Sequence, residues 1–115
     1  MTIRRLESSA RMSQAVIHNG LVYLAGQVGA PGADIETQTR AVLASIDALL
    51  DEAGSSRAHI LQATIWLADM GDFGAMNVIW EEWIAGGPVP ARATGEVKLA
   101  TPDYKIEIIV VAAVA

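Results

Sequence analysis

The sequence predicts a mixed α+β domain in the order β-β-α-β-α-β-β, with two helices packed on one face of a sheet. Three observations carry that reading. An Asn19-Gly20 pair separates two short apolar runs, the pattern of a tight hairpin whose turn residues accept positive φ. The hydrophobic period changes from strand-like to helical twice, at Ile35 and at Asp72. After each helical stretch the chain returns to alternating or continuously aliphatic runs.

The elements follow in order. Residues 14–18 and 21–28 form the hairpin strands, and residues 29–33 make a Gly/Pro loop. Asp34 is placed to cap the first helix, since a carboxylate there accepts from a free first-turn amide. Ile35, Val42, Ile46, Leu49, Leu50 and Ala53 then share one helical face, and Gly54 supplies the stop. Over 60–68, Leu61, Ala63, Ile65 and Leu67 oppose Gln62, Thr64 and Trp66. Asp72 opens a second helix whose apolar stripe is Phe73, Met76, Ile79, Trp80 and Trp83, ended by Gly86-Gly87-Pro88. The last strands, 90–97 and 105–111, are separated by Ala100-Thr101-Pro102-Asp103. No linker, repeat or low-complexity segment divides residues 1–115, so a single domain is expected.

Those last two strands carry the most informative chemistry. Alternation puts Arg92, Thr94 and Glu96 on one face of the first and Ala93, Gly95 and Val97 on the other. The second reads as a strand covered on both faces, yet Glu107 sits inside it. A buried charge is costly unless it is paired or used. An arginine and a glutamate on neighbouring apolar strands point to a small acidic ligand, gripped by the guanidinium and worked on by the carboxylate. Each has a plainer reading. Arg92 is otherwise a surface arginine, and Glu107 an exposed edge residue or the ion-pair partner of Lys105. Desolvation would raise the Glu107 carboxyl pKa and suit it to acid–base work or to holding a water.

Composition narrows the classes. Hydrophobic residues make up 52% and charged ones 18% of 115 residues, more apolar surface than so small a monomer hides, so a homo-oligomer is expected. A net charge of −5 and a pI near 4.8 oppose nucleic acid as the main partner. No apolar run reaches membrane-spanning length, and the N-terminus lacks a signal core. With no cysteine there is no disulfide, thiolate nucleophile or Cys-based metal site, and a cytoplasmic location is expected. His18 and His59 lack spaced carboxylate partners, so neither a metal nor a cofactor is expected. Thr94 and Ser13 lack the base a hydroxyl nucleophile needs, and Gly26, Gly29 and Gly32 do not open a helix as a phosphate loop does. Asn77 reads as a helix-surface amide, and Trp66, Trp80 and Trp83 as core or interface residues.

From about residue 13 to residue 112 the chain resembles the RidA/YjgF family of reactive enamine/imine deaminases. The likeness rests on Ser13-Gln14-Ala15, Asn19-Gly20-Leu21-Val22-Tyr23, Ala25-Gly26-Gln27-Val28, Gln38-Thr39-Arg40, Glu52-Ala53-Gly54, Asp72-Phe73 with Met76-Asn77, Pro90-Ala91-Arg92 and Ile106-Glu107-Ile108. Each motif is weak alone; the ordered set is specific.

The resemblance implies a chorismate-mutase-like fold assembled as a homotrimer, with ligand sites in clefts between subunits. It implies that Arg92 holds a substrate carboxylate, assisted by the backbone amide of Thr94, where family members often have cysteine. It likewise assigns Glu107 as the catalytic-site glutamate and Asn77 and Gly26 as substrate-site residues. Deaminases of this type carry a tyrosine just before Ser-Gln-Ala; here Met12 stands there, beside Arg11, and the segment between Trp83 and Pro90 is short. The implied reaction is metal-free hydrolysis of small 2-imino or 2-enamino acids to 2-keto acids and ammonia. The alternative is a trimeric module that binds 2-keto acids or related carboxylates without turnover. An RNA-acting role, proposed for parts of this family, is opposed by the acidic charge.

Overall fold

The computed structural model describes residues 2–115. Six strands form one sheet: β1 (Arg4–Leu6), β2 (Ala15–His18), β3 (Leu21–Leu24), β4 (Ile60–Leu67), β5 (Ala91–Glu96) and β6 (Ile106–Ala113), in the order β1-β2-β3-β6-β4-β5. β4 and β5 are parallel and every other pair is antiparallel. Helices α1 (Ile35–Glu52) and α2 (Phe73–Ile84) pack with the sheet around one core.

The local signals explain these elements. Asn19 (φ 54°) and Gly20 (φ 79°) both take the left-handed conformation that a two-residue hairpin turn demands. Asp34 Oδ1 accepts from the Thr37 amide at 2.8 Å, capping α1. Leu43, Ile46 and Leu50 of α1 meet Met76, Ile79 and Trp80 of α2 over the sheet residues Ile65, Leu67, Ile106, Ile108 and Val110. Gln38, fully buried, donates to the Ala33 and Asp103 carbonyls (3.0 and 2.8 Å) and accepts from the Lys105 amide (2.8 Å). One amide thus ties α1 to the start of β6, the strand that carries Glu107.

The secondary-structure elements depart from the sequence reading in four places. β1 is an added edge strand of three residues, held by its pairing with β2 and by Leu6 against the core, and too short to give an alternation signal. Leu61 does not join the buried face: it is half-exposed and Ile60 is buried instead, because a register shift against β6 falls between Ile60 and Gln62. A 3₁₀ turn (Met70–Asp72) precedes α2; its cap is Asp69, which accepts from the Gly71 amide at 2.8 Å, while Asp72 makes no side-chain cap bond. Finally, β6 is buried on one face only. Ile106, Ile108, Val110 and Ala112 face the helices, whereas Glu107, Ile109, Val111 and Ala113 stay partly exposed on the opposite face. No helix among the described residues is long and apolar enough to cross a membrane.

Candidate active site

Arg92 and Glu107 are not on neighbouring strands: β4 lies between β5 and β6. Arg92 pairs with Ala63, which is fully buried under the helices, so Arg92 takes the helix side of the sheet edge. Glu107 pairs with Trp66 on the open face. Two strand spacings across and three residues along separate their Cα atoms by roughly 14 Å, with the side chains on opposite faces. One small ligand cannot touch both within a chain. This corrects the sequence reading, which alternation alone could not refine because strand order is a tertiary property.

Two partial sites result. The first lies where α2 meets β5. The Arg92 guanidinium sits 5.9 Å from the Phe73 ring centroid and 5.6 Å from that of Trp80. Asn77 stands between those aromatics on one stripe of α2, four residues after Phe73 and three before Trp80. Thr94 shares the Arg92 face, paired with Ile65. Asn77 Oδ1 and Thr94 Oγ1 are both buried with no hydrogen-bond partner. Orphaned polar atoms of this kind are uncommon in folded proteins. An arginine beside them, engaged by no acid among the described residues, makes this a corner short of an acceptor and of donors.

The second lies around Glu107. A Cβ on Gly26 would overlap the Glu107 carboxylate, so only glycine lets that side chain lie there. Burial, with no cation to offset it, pushes the Glu107 carboxyl above its ordinary pKa. Lys105 forms no ion pair with it; the salt bridges among the described residues are Arg40–Glu82 and Arg57–Asp47. Gly26 also borders a cavity of about 460 Å³, lined with Met12, Gln14, Gln27, Glu7 and Leu49 among others. Gln27, nearly buried, donates to Gln14 Oε1 (2.9 Å) and to the Ala25 carbonyl (3.0 Å), which fixes the loop that carries Gly26. Met12 is half-exposed at this cavity. Among the described residues no group of three or more His, Asp or Glu side chains is placed to hold a metal ion.

The family profile described as Endoribonuclease L-PSP matches residues 2–114. The RutC family protein YoaB of Escherichia coli K12 is 47% identical over 114 residues, 99% of this chain and 100% of that protein. The chain belongs to the RutC/YjgF family. A RutC family protein of Haemophilus influenzae is 48% identical over 97% of this chain and 98% of its own length. A crystal structure of a YjgF family member from Neisseria meningitidis superposes with a TM-score of 0.97 at 45% identity, covering 100% of this chain and 97% of that one. The RutC/YjgF fold, two helices on a mixed sheet, is the one these elements build.

Reading the sequence missed three contributions: the aromatic pair around Arg92, the Gln14–Gln27 bond and the Gln38 tie. The signal for the first was present, since Phe73, Asn77 and Trp80 fall on one helical stripe; the stripe reads equally well as core. The Gly26 contact yields a prediction. Gly26→Ala should fold, because the atoms it displaces are the far end of a flexible glutamate. It should still strip Glu107 of its position. An activity that uses Glu107 is expected to fall about tenfold or more with the melting temperature nearly unchanged, and assay beside thermal denaturation checks this. A normal rate would show that the Glu107 position is immaterial.

Proposed function

We propose that the chain assembles as a homotrimer in which the Arg92, Asn77 and Thr94 corner of one copy meets the open face of the next, where Glu107 lies against Gly26, with Met12 at the cavity that Gly26 also borders. We infer that the composite site hydrolyses small 2-imino or 2-enamino acids to 2-keto acids and ammonia. One observation carries the reading: the two charges set into apolar strands are both unneutralised, and no single ligand can reach both within one chain. The half-open sheet face, with Tyr23 45% exposed beside Val111, supplies apolar surface for such an interface. Light scattering is expected to give three times the 12.1 kDa chain mass. A stable monomer at micromolar concentration overturns the assembly.

The chemistry asks little of the protein. Arg92 holds the substrate carboxylate through two parallel hydrogen bonds, with the Thr94 amide alongside. Glu107 takes a proton from water as the oxygen bonds to the imine carbon, and delivers that proton to the imine nitrogen to give the neutral carbinolamine. Glu107 then takes the carbinolamine hydroxyl proton as the carbonyl forms and the C–N bond breaks, and passes it to the departing nitrogen, which leaves as ammonia. A carboxyl whose pKa is lifted toward neutrality suits both halves of that exchange. Imines hydrolyse readily in water, so orientation and proton transfer suffice. Ammonia release from 2-imino acids made in situ by an amino-acid oxidase, for wild type and Arg92→Ala, tests the reading. Equal rates reject it.

A second reading is favoured by Met12, which offers a thioether where deaminases of the family carry a tyrosine hydroxyl. Under it, the trimer captures 2-keto acids without turnover. Pyruvate binding by calorimetry with no effect on imine decay selects that alternative. A net charge of −5 weighs against RNA as the substrate of this chain.

A further inference from the structure

Two arginines lie against aromatic rings of α2, and the structure treats them differently. Arg57 sits 4.9 Å from the Trp83 ring centroid, and each of its three nitrogens donates a hydrogen bond. Nε and Nη2 bond the two Asp47 oxygens at 2.9 and 3.0 Å, while Nη1 bonds the Trp83 carbonyl at 2.7 Å. The second Asp47 oxygen also accepts from the Trp83 ring nitrogen at 3.0 Å. Arg57 is thus a closed structural node. Arg92 has the Phe73 and Trp80 rings within 6 Å but no carboxylate partner among the described residues. A ring face attracts a cation through its quadrupole and consumes no N–H donor. The aromatic pair therefore restrains the guanidinium while leaving its fork free.

We propose that Phe73 and Trp80 are the positioning residues of Arg92, holding its guanidinium at the sheet edge so that an incoming carboxylate meets a preset fork. The proposal rests on reading Arg92 as the carboxylate grip. Trp80 is 5% exposed and anchored in the core, so its ring cannot drift; Phe73, 37% exposed, supplies the second ring at 5.9 Å. A side chain ordered before binding loses less entropy when the ligand arrives.

The test uses the full chain with and without pyruvate. In the ligand-free protein, ring currents should displace the Arg92 Hε resonance upfield. Phe73→Leu and Trp80→Leu should each reduce that displacement and weaken pyruvate binding by about 3- to 10-fold, the fold-change expected for losing a cation–π contact. In imine hydrolysis, KM should rise with kcat nearly unchanged. Trp80→Phe should keep most of both properties, which a general packing defect would not. Phe73→Leu, at a partly exposed site, keeps the test alive if Trp80→Leu fails to fold. An undisplaced Arg92 Hε in wild type overturns the proposal, as does wild-type pyruvate affinity in Phe73→Leu. A displaced resonance that shrinks in Phe73→Leu, in a protein that binds no pyruvate, supports the restraint and rejects the carboxylate reading instead.

Discussion

Glu107→Gln is expected to lower imine hydrolysis by about 10²–10⁴-fold, the usual worth of a positioned acid–base group. Pyruvate affinity should stay close to wild type, because shape and most polar contacts survive. Stability separates this role from a structural one. The Glu107 carboxyl titrates above its ordinary value because burial disfavours the charged form. The folded chain thus holds this proton more tightly than the unfolded chain does. That contribution is fully present below the unfolded pKa of about 4.3 and is lost as pH rises through the raised folded value. At neutral pH the ionised group costs stability, and a neutral amide of the same shape removes the cost. The melting temperature of Glu107→Gln at pH 7 should therefore equal or exceed that of wild type. Its stability should also decline less on going from mildly acidic to neutral pH. Imine decay rates and thermal melts between pH 4 and 8 check both statements. A normal rate with a lowered melting point would assign Glu107 to structure.

Arg92→Lys is expected to weaken pyruvate binding by roughly 10- to 150-fold, since a hydrogen bond to a charged group contributes about 1.5–3 kcal/mol. Lysine keeps the positive charge but replaces a rigid planar fork with a point charge on a flexible stem. It also stacks poorly in the space between Phe73 and Trp80. The melting temperature should change little, because Arg92 is exposed at an edge strand and closes no salt bridge among the described residues. Calorimetric titration with pyruvate reads the effect. Unchanged affinity would make Arg92 an ordinary surface arginine.

Several elements were legible because their causes are local. Asn19-Gly20 encodes a turn through the φ values its two residues tolerate, and Asp34 encodes a helix start through a bond three residues away. The stripe Val42, Ile46, Leu49 and Leu50 marks the buried side of α1 whatever it packs against. Leu61 failed the same kind of test, because a bulge breaks the period of two and leaves no residue-level mark. The three residues of β1 are strand only because β2 lies beside them.

The candidate site divides along the same line. Residue types alone singled out Arg92 and Glu107, since a charge within an apolar strand demands a partner or a use. Family motifs added Gly26, Asn77, Thr94 and Met12. Only the tertiary structure decided that β4 separates the two charges and that they face opposite sides of the sheet. It alone brought Gly26 under the Glu107 carboxylate and set Arg92 against two aromatic rings. The physical reason is range. Propensity, capping and periodicity act over a few residues and are written in the sequence directly. Strand order, facing and burial come from contacts between segments far apart in the chain, chosen by the packing of the whole core.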